Sequence, residues 1–212
     1  MSDSLLFSFL PYAAAVAAVA GTVHRVTVRT PATDPREPWT PAGRAVLAGG
    51  VTVILNHLLG LAAPRAMQAF VASPARLFTL EAVSLIGGML LGWGLSSLTL
   101  RRAREGQWLL AGFLGLVLAQ VLTGLHIAVT LRWGSAWYLH LAVPYLRSLL
   151  AFQPDATLME KAPLVFQVHT LAGFVLLALA PFARARKAAA LALVPPASES
   201  NLLATPREET AR

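Results

Sequence analysis

The chain has 212 residues, 56% of them hydrophobic and only 13% charged, and a net charge of +7. The charges fall in short blocks between apolar stretches of membrane-spanning length, so no large soluble domain fits, and the basic excess is explained by retention of cytoplasmic loops rather than by nucleic acid. Cysteine is absent, which excludes disulfides, iron–sulfur clusters ligated by this chain and covalent thioether attachment of a cofactor.

The first apolar stretch, residues 5–23, is rich in alanine and carries Pro11. Ser2 and Asp3 precede it where a signal peptide has a basic segment, so it is expected to stay as a helix. Residues 24–44 form a polar loop with four prolines. Further spans are predicted over residues 45–63, 77–100, 108–131 and 163–182. At about 1.5 Å per residue these cross a hydrocarbon core of ~30 Å, and in lipid only a helix satisfies the backbone of a single segment. Between the fourth and fifth spans, residues 137–152 include Leu139, Val143, Leu146 and Leu150 at helical spacing and an internal Arg147. That segment is too short to span and fits a helix lying on the membrane surface, with His140 and Arg147 on its flank. Residues 1–187 thus form one membrane domain, and residues 188–212, with PPASES and TPREET, are expected to be a disordered cytoplasmic tail.

The expected fold is all-α, an integral bundle of five transmembrane helices. With the N-terminus outside and the C-terminus in the cytoplasm, the inner segments hold 12 of the 17 Lys and Arg and the outer ones five: Arg65, Arg76, Arg132, Arg147 and Lys161. The positive-inside bias therefore favours that orientation.

Two histidines lie inside otherwise non-ionisable apolar runs, His57 in VLAGGVTVILNHLLGLAA and His169 in PLVFQVHTLAGFVLLALAPF. A polar ring in hydrocarbon is costly unless paired or ligated. In this topology the second span reaches His57 shortly before its outer end, and the fifth meets His169 shortly after it begins. Both rings then lie at one depth in the outer half of the bilayer, as axial ligation of a single haem b by two imidazoles requires. Gly50 and Gly60 share the stripe of His57, and Gly173 follows His169 at i+4, leaving space for a flat macrocycle or simply for close helix packing. One haem b per chain is expected, with His57 and His169 on its iron.

His126, in the outer third of the fourth span, lies at nearly the same depth and is either an interhelical hydrogen-bonding group or part of a quinol pocket. Glu81, near the outer end of the third span, and Arg76 just before it are further quinol-site candidates, since a carboxylate accepts a proton and a cation holds a quinone oxygen. An interfacial charge pair is the plainer account of those two. His24 is expected to be a solvated loop residue.

The order of elements and three segments, FLPY in the first span, NHLLGLAAP at the end of the second and VHTLAGFVLLALAPFAR in the fifth, resemble the gamma subunit of respiratory nitrate reductase, a five-helix cytochrome b that oxidises quinol. In that family a histidine with a glycine three residues on, in helix two, and a histidine with a glycine four residues on, in helix five, ligate the outer haem. These match His57 with Gly60 and His169 with Gly173. The family's inner haem uses a histidine ten residues before the first ligand and another eighteen after the second, and here those positions hold Leu47 and Lys187, so the resemblance implies that the inner haem is missing. It also implies iron–sulfur and molybdenum partner subunits, quinol as substrate and the bacterial cytoplasmic membrane as location. With only an outer haem, an outer-face cytochrome is an alternative electron acceptor, and a quinol-linked cytochrome b serving a non-nitrate reductase is an alternative to nitrate. A haem-free anchor or transporter would not need two histidines matched in depth, and no helix broken at midplane or internal repeat of the kind transporters show is visible.

Overall fold

A computed structural model describes residues 2–27, 40–131 and 134–183. The long helices are α1 (Ser2–Thr27), α2 (Pro41–Ala62), α4 (Pro74–Arg104) and α5 (Trp108–Thr130), with the short α3 (Pro64–Val71) between α2 and α4. After α5 come α6 (Gly134–Trp137), a π-helical turn (Tyr138–Ala142), α7 (Val143–Leu150), α8 (Thr157–Glu160) and α9 (Leu164–Leu179). Among the described residues there is no strand.

Local chemistry sets the helix starts. Thr40 caps α2 by accepting from the Gly43 amide at 3.0 Å, and Pro41 occupies the first turn, where its missing N–H costs nothing. Pro64 and Pro74 open α3 and α4 in the same way. Gly106, at φ +70°, turns the chain tightly from α4 into α5.

Four helices, α1, α2, α4 and α5, are long and apolar enough to cross a membrane. The fifth apolar helix is shorter than the expected span: α9 has 16 residues, about 24 Å at 1.5 Å per residue, and gives way to turns at 180–183. The large apolar side chains of α2 explain where these helices belong. Leu47, Val51, Ile54 and Leu58, at helical spacing, are all more than half exposed, a continuous apolar stripe of the kind that soluble monomers cover and lipid accommodates.

The helices follow one another around an arc in which α2 packs on α4, α4 on α5, α5 on α9 and α9 on α1. The α2–α4 contact is backbone to backbone. A Cβ on Gly49 would strike the Gly87 carbonyl and the Leu91 backbone, and one on Gly94 would come within 2.7 Å of the Ala42 carbonyl. Asn56 on α2 adds an interhelical bond to Ser84 Oγ at 3.0 Å, the kind of polar link that helps hold helices in lipid.

The principal core lies at one end of the bundle, where the start of α1, the end of α5, the α6–α8 segment and the start of α9 converge. Tyr145, Phe7 and Met159 are fully buried there. The Tyr145 hydroxyl donates to the Phe7 carbonyl at 2.6 Å, and its ring meets Phe7 edge-on with centroids 5.9 Å apart. Burial pushes the Tyr145 phenol well above its ordinary range, so it stays a donor.

This core corrects the simple surface helix over 137–152. The segment begins at Gly134, contains the π turn and ends at Leu150, and its buried face includes Leu139, Val143, Tyr145 and Leu149, whereas Leu150 is exposed. Packing of Tyr145 against Phe7 and Phe174 sets the rotation, so the apolar stripe ending at Leu150 did not locate the inner face. Leu47, at the family's inner-ligand position, sits on the exposed stripe of α2. Lys187, the 188–212 tail, Arg132 and residues 28–39 lie outside the described residues, and the ends of the expected 24–44 loop are helical, with His24 in the last turn of α1 and residues 41–44 in α2.

Candidate functional site

His57 stands near the end of α2, and its Nδ1 lies 2.7 Å from the Val53 carbonyl one turn earlier. A carbonyl oxygen only accepts, so the contact places the proton on Nδ1 and leaves the lone pair on Nε2. One edge of the ring is covered by Tyr138 of the π turn, with centroids 5.1 Å apart at 64°. The Tyr138 hydroxyl donates to the His57 carbonyl at 2.6 Å, and burial pushes its phenol up to about 12. The rest of the His57 ring is exposed.

His169 stands near the start of α9 and is held by α5. The Thr123 hydroxyl lies 2.9 Å from both the Gln120 carbonyl and His169 Nδ1. Its single proton goes to the carbonyl, so the hydroxyl oxygen accepts from Nδ1–H and His169 also carries its lone pair on Nε2. The Gln120 amide donates to the His169 carbonyl at 2.9 Å and lies 3.3 Å from Nε2.

The glycines make space for the groups that hold these rings. A Cβ on Gly60 would come within 2.5 Å of Tyr138 Cε1, and one on Gly173 would lie 3.4 Å from the Gln120 amide. Gly50 is in loose contact, with Leu91 Cδ1 3.9 Å from a Cβ built there. Gly124, which sequence reasoning did not single out, lets the His169 ring approach α5, since its Cβ would sit 3.1 Å from Cε1. Gln120 and Thr123 were likewise missed. The available signal was the Gln120, Thr123 and Gly124 spacing, three and four residues apart on one face of an otherwise apolar span.

The quinol-site candidates lie at the same end of the bundle but are not brought together. Arg76 donates from Nε to the Phe70 carbonyl at 2.7 Å and from Nη2 to Ala69 at 3.0 Å, satisfying the last carbonyls of α3, and its guanidinium sits over the Phe70 ring. Glu81 accepts from the Ser135 amide at 2.9 Å and so caps the start of the α6 segment. Each is thus bonded to backbone elsewhere rather than to the other. His126 is exposed near the end of α5, and its carbonyl accepts from Thr130. His24 and His140 are exposed as well.

Among the described residues no group of three or more His, Asp or Glu side chains could hold a metal ion. If the two histidines hold a metal, they would do so together with ligands supplied by a cofactor such as a haem, which would bring one-electron redox chemistry. Their donor set fits that role, because in both rings Nδ1 is committed to an oxygen and Nε2 retains its lone pair. The buried Gln120 Oε1, without a hydrogen-bond partner among the described residues, shows that polar capacity beside His169 is still unspent.

These features define a multi-helix membrane protein with a pair of histidines at one end of its bundle. The family model for the nitrate reductase gamma subunit matches residues 3–193, and the chain belongs to that family. It is similar to the nitrate reductase gamma chain of Bacillus subtilis, at 26% identity over 207 residues covering 87% of this chain and 90% of that one. It is also similar to the nitrate reductase-like protein NarX of Mycobacterium tuberculosis, at 32% identity over 150 residues, which is 64% of this chain but 22% of the NarX sequence.

Proposed function

We propose that this chain is the haem b subunit of a nitrate reductase-like membrane complex, oxidising quinol and relaying electrons to partner redox subunits. The observation that carries this is that His57 and His169, near the ends of two helices, each have Nδ1 bonded to an oxygen, which leaves the lone pair on Nε2. Bound between them, a haem supplies one-electron redox chemistry, whose potential depends on ligation, burial and hydrogen bonding. The chain's own part is to hold the two rings in one tautomer and orientation. The Val53 carbonyl and the Thr123 hydroxyl set the tautomers, and Tyr138 packs on the edge of the His57 ring.

Family membership and the histidine positions support an outer site in a five-span topology, N-terminus outside, in the bacterial cytoplasmic membrane, with α9 forming the fifth span. A single haem is proposed, because Leu47 and Lys187 replace the imidazoles that the family places at its inner haem. Quinol oxidation releases two protons and two electrons. Groups able to take up a proton or hold a quinol oxygen at that depth are His126, Glu81 and Arg76, with His126 favoured because Glu81 and Arg76 already serve as helix caps.

The test is a reduced-minus-oxidised spectrum of the purified chain, followed by stopped-flow reduction with a quinol analogue. A b-type spectrum is expected, with slower reduction but unchanged haem content in His126→Ala or Glu81→Gln. No haem spectrum overturns the proposal, and wild-type rates in His126→Ala, Glu81→Gln and Arg76→Ala together place the quinol elsewhere.

A further inference from the structure

Most threonine hydroxyls inside the long helices turn back to their own helix. Thr52 donates to Ala48 at 2.9 Å, Thr130 to His126 at 2.7 Å and Thr170 to Phe166 at 2.9 Å, each to the carbonyl four residues earlier. Such back-bonding satisfies a hydroxyl in an apolar setting and needs no neighbouring helix. Thr123, like Thr27 at the end of α1, donates instead to the carbonyl three residues back, here Gln120, and its oxygen also faces His169 Nδ1 across the helix interface, 2.9 Å away.

Gln120 completes the arrangement. Its amide reaches across to the backbone of His169 itself, at 2.9 Å, so α5 grips both the ring and the main chain of one residue on α9. Two glycines allow the approach. Gly124 faces the ring at Cε1, and Gly173 faces the Gln120 amide, and at either position a Cβ would fall at or inside tight contact distance.

We infer that Thr123 and Gln120 are positioning residues for His169, Thr123 fixing its tautomer and raising the donor strength of its Nε2, and Gln120 pinning the α9 backbone beneath it. The inference rests on the proposal that His169 is an axial ligand. An acceptor on Nδ1–H leaves more electron density on Nε2, and a stronger donor favours ferric over ferrous iron. The hydroxyl is itself polarised by its bond to the Gln120 carbonyl, which strengthens it as an acceptor. The Gln120 contact to Nε2, at 3.3 Å, is the longest of the set and is the one that gives way when Nε2 is used as a ligand. Its bond to the His169 carbonyl does not compete with ligation.

The experiment is a redox titration, with ferric electron paramagnetic resonance, of the purified full-length chain and of Thr123→Val, Thr123→Ser, Gln120→Leu and Thr130→Val. Thr123→Val keeps the shape and removes the acceptor, so the midpoint potential is expected to rise. The ferric-to-ferrous ratio at a fixed ambient potential should fall several-fold, tenfold corresponding to about 59 mV for a one-electron couple. Thr123→Ser restores the wild-type midpoint, and Thr130→Val, whose hydroxyl bonds only its own helix, leaves it unmoved. Gln120→Leu broadens the low-spin ferric signal, because the ring orientation is less fixed. If Thr123→Val fails to hold haem, wild-type binding and midpoint in Thr123→Ser still support the role, and failure of the serine variant overturns it. A wild-type midpoint and signal in a haem-loaded Thr123→Val overturns the inference while leaving the ligand assignment intact. Absence of haem from the wild-type chain removes the ligand assignment instead.

Discussion

His57 and His169 each stand five residues from a helix end, His57 before Ala62 and His169 after Leu164, yet one is bonded to its own helix and the other to its neighbour. The His57 tautomer follows from local geometry alone, since any helical histidine has a carbonyl one turn back. Its ring is covered along one edge by Tyr138, delivered by the π turn of a segment that lies across the end of the bundle. His169 is built by tertiary packing, with Thr123, Gln120 and Gly124 all coming from α5. The two histidines therefore depend on different parts of the fold. Disturbing α5 should alter the His169 side, and disturbing the surface segment should alter the His57 side.

The harshest way to break the comparison is to remove a ring. His57→Ala and His169→Ala are each expected to abolish haem binding, because one axial ligand and a cavity replace a clamped pair. His24→Ala and His140→Ala, both exposed in the wild-type chain, should leave the spectrum unchanged. A normal low-spin spectrum in either of the first two variants refutes the assignment.

A milder change fills the space beside each ring. In Gly124→Val the new Cβ lies 3.1 Å from His169 Cε1, so the ring must give by a few tenths of an ångström. Overpacking of this kind costs about 1–3 kcal/mol, and haem retention on heating should fall accordingly. Gly60→Val presses harder, on Tyr138 at 2.5 Å, and that ring belongs to the segment whose Leu139, Val143 and Tyr145 are buried in the core, so the larger loss is expected there. Equal losses in the two variants would mean that the sides of the site are not distinct in rigidity.

The smallest effect belongs to a single hydroxyl. Tyr138→Phe keeps the ring against His57 and removes the bond to the His57 carbonyl, at a cost of about 1 kcal/mol in thermal stability. Burial raises this phenol from 10.0 to about 12 in the folded chain, so the protonated form is favoured by folding. Its contribution is full below about pH 10 and is lost as the pH rises towards 12, and the stability gap between wild type and Tyr138→Phe should close over that window. A gap that widens there would contradict the bonding seen at Tyr138.

The two histidines stand out in the sequence because an ionisable ring in an apolar run has few explanations, and the structure places each five residues from a helix end. The four longest helices were legible for the same reason, by the length of their apolar runs. What was not legible depended on contacts. The eight residues of α3, PRAMQAFV, are too few and too mixed to declare themselves between two spans. The inner face of the 134–150 segment was misplaced by one position because Tyr145, the most buried side chain there, has a polar tip and was not counted with the leucines. Arg76 and Glu81 were weighed as a charge pair or a quinol site, whereas backbone groups of α3 and α6 claim them. Gln120 and Thr123 look like tolerated polar residues until α9 is placed against them.

Haem stoichiometry tests the single outer site most directly. Pyridine haemochrome assay of the purified chain, set against its protein content, should give a ratio near one, reduced to near zero in the His57→Ala, His169→Ala double variant. A ratio near two in the wild-type chain, or haem retained by the double variant, would contradict a single site ligated by these two histidines.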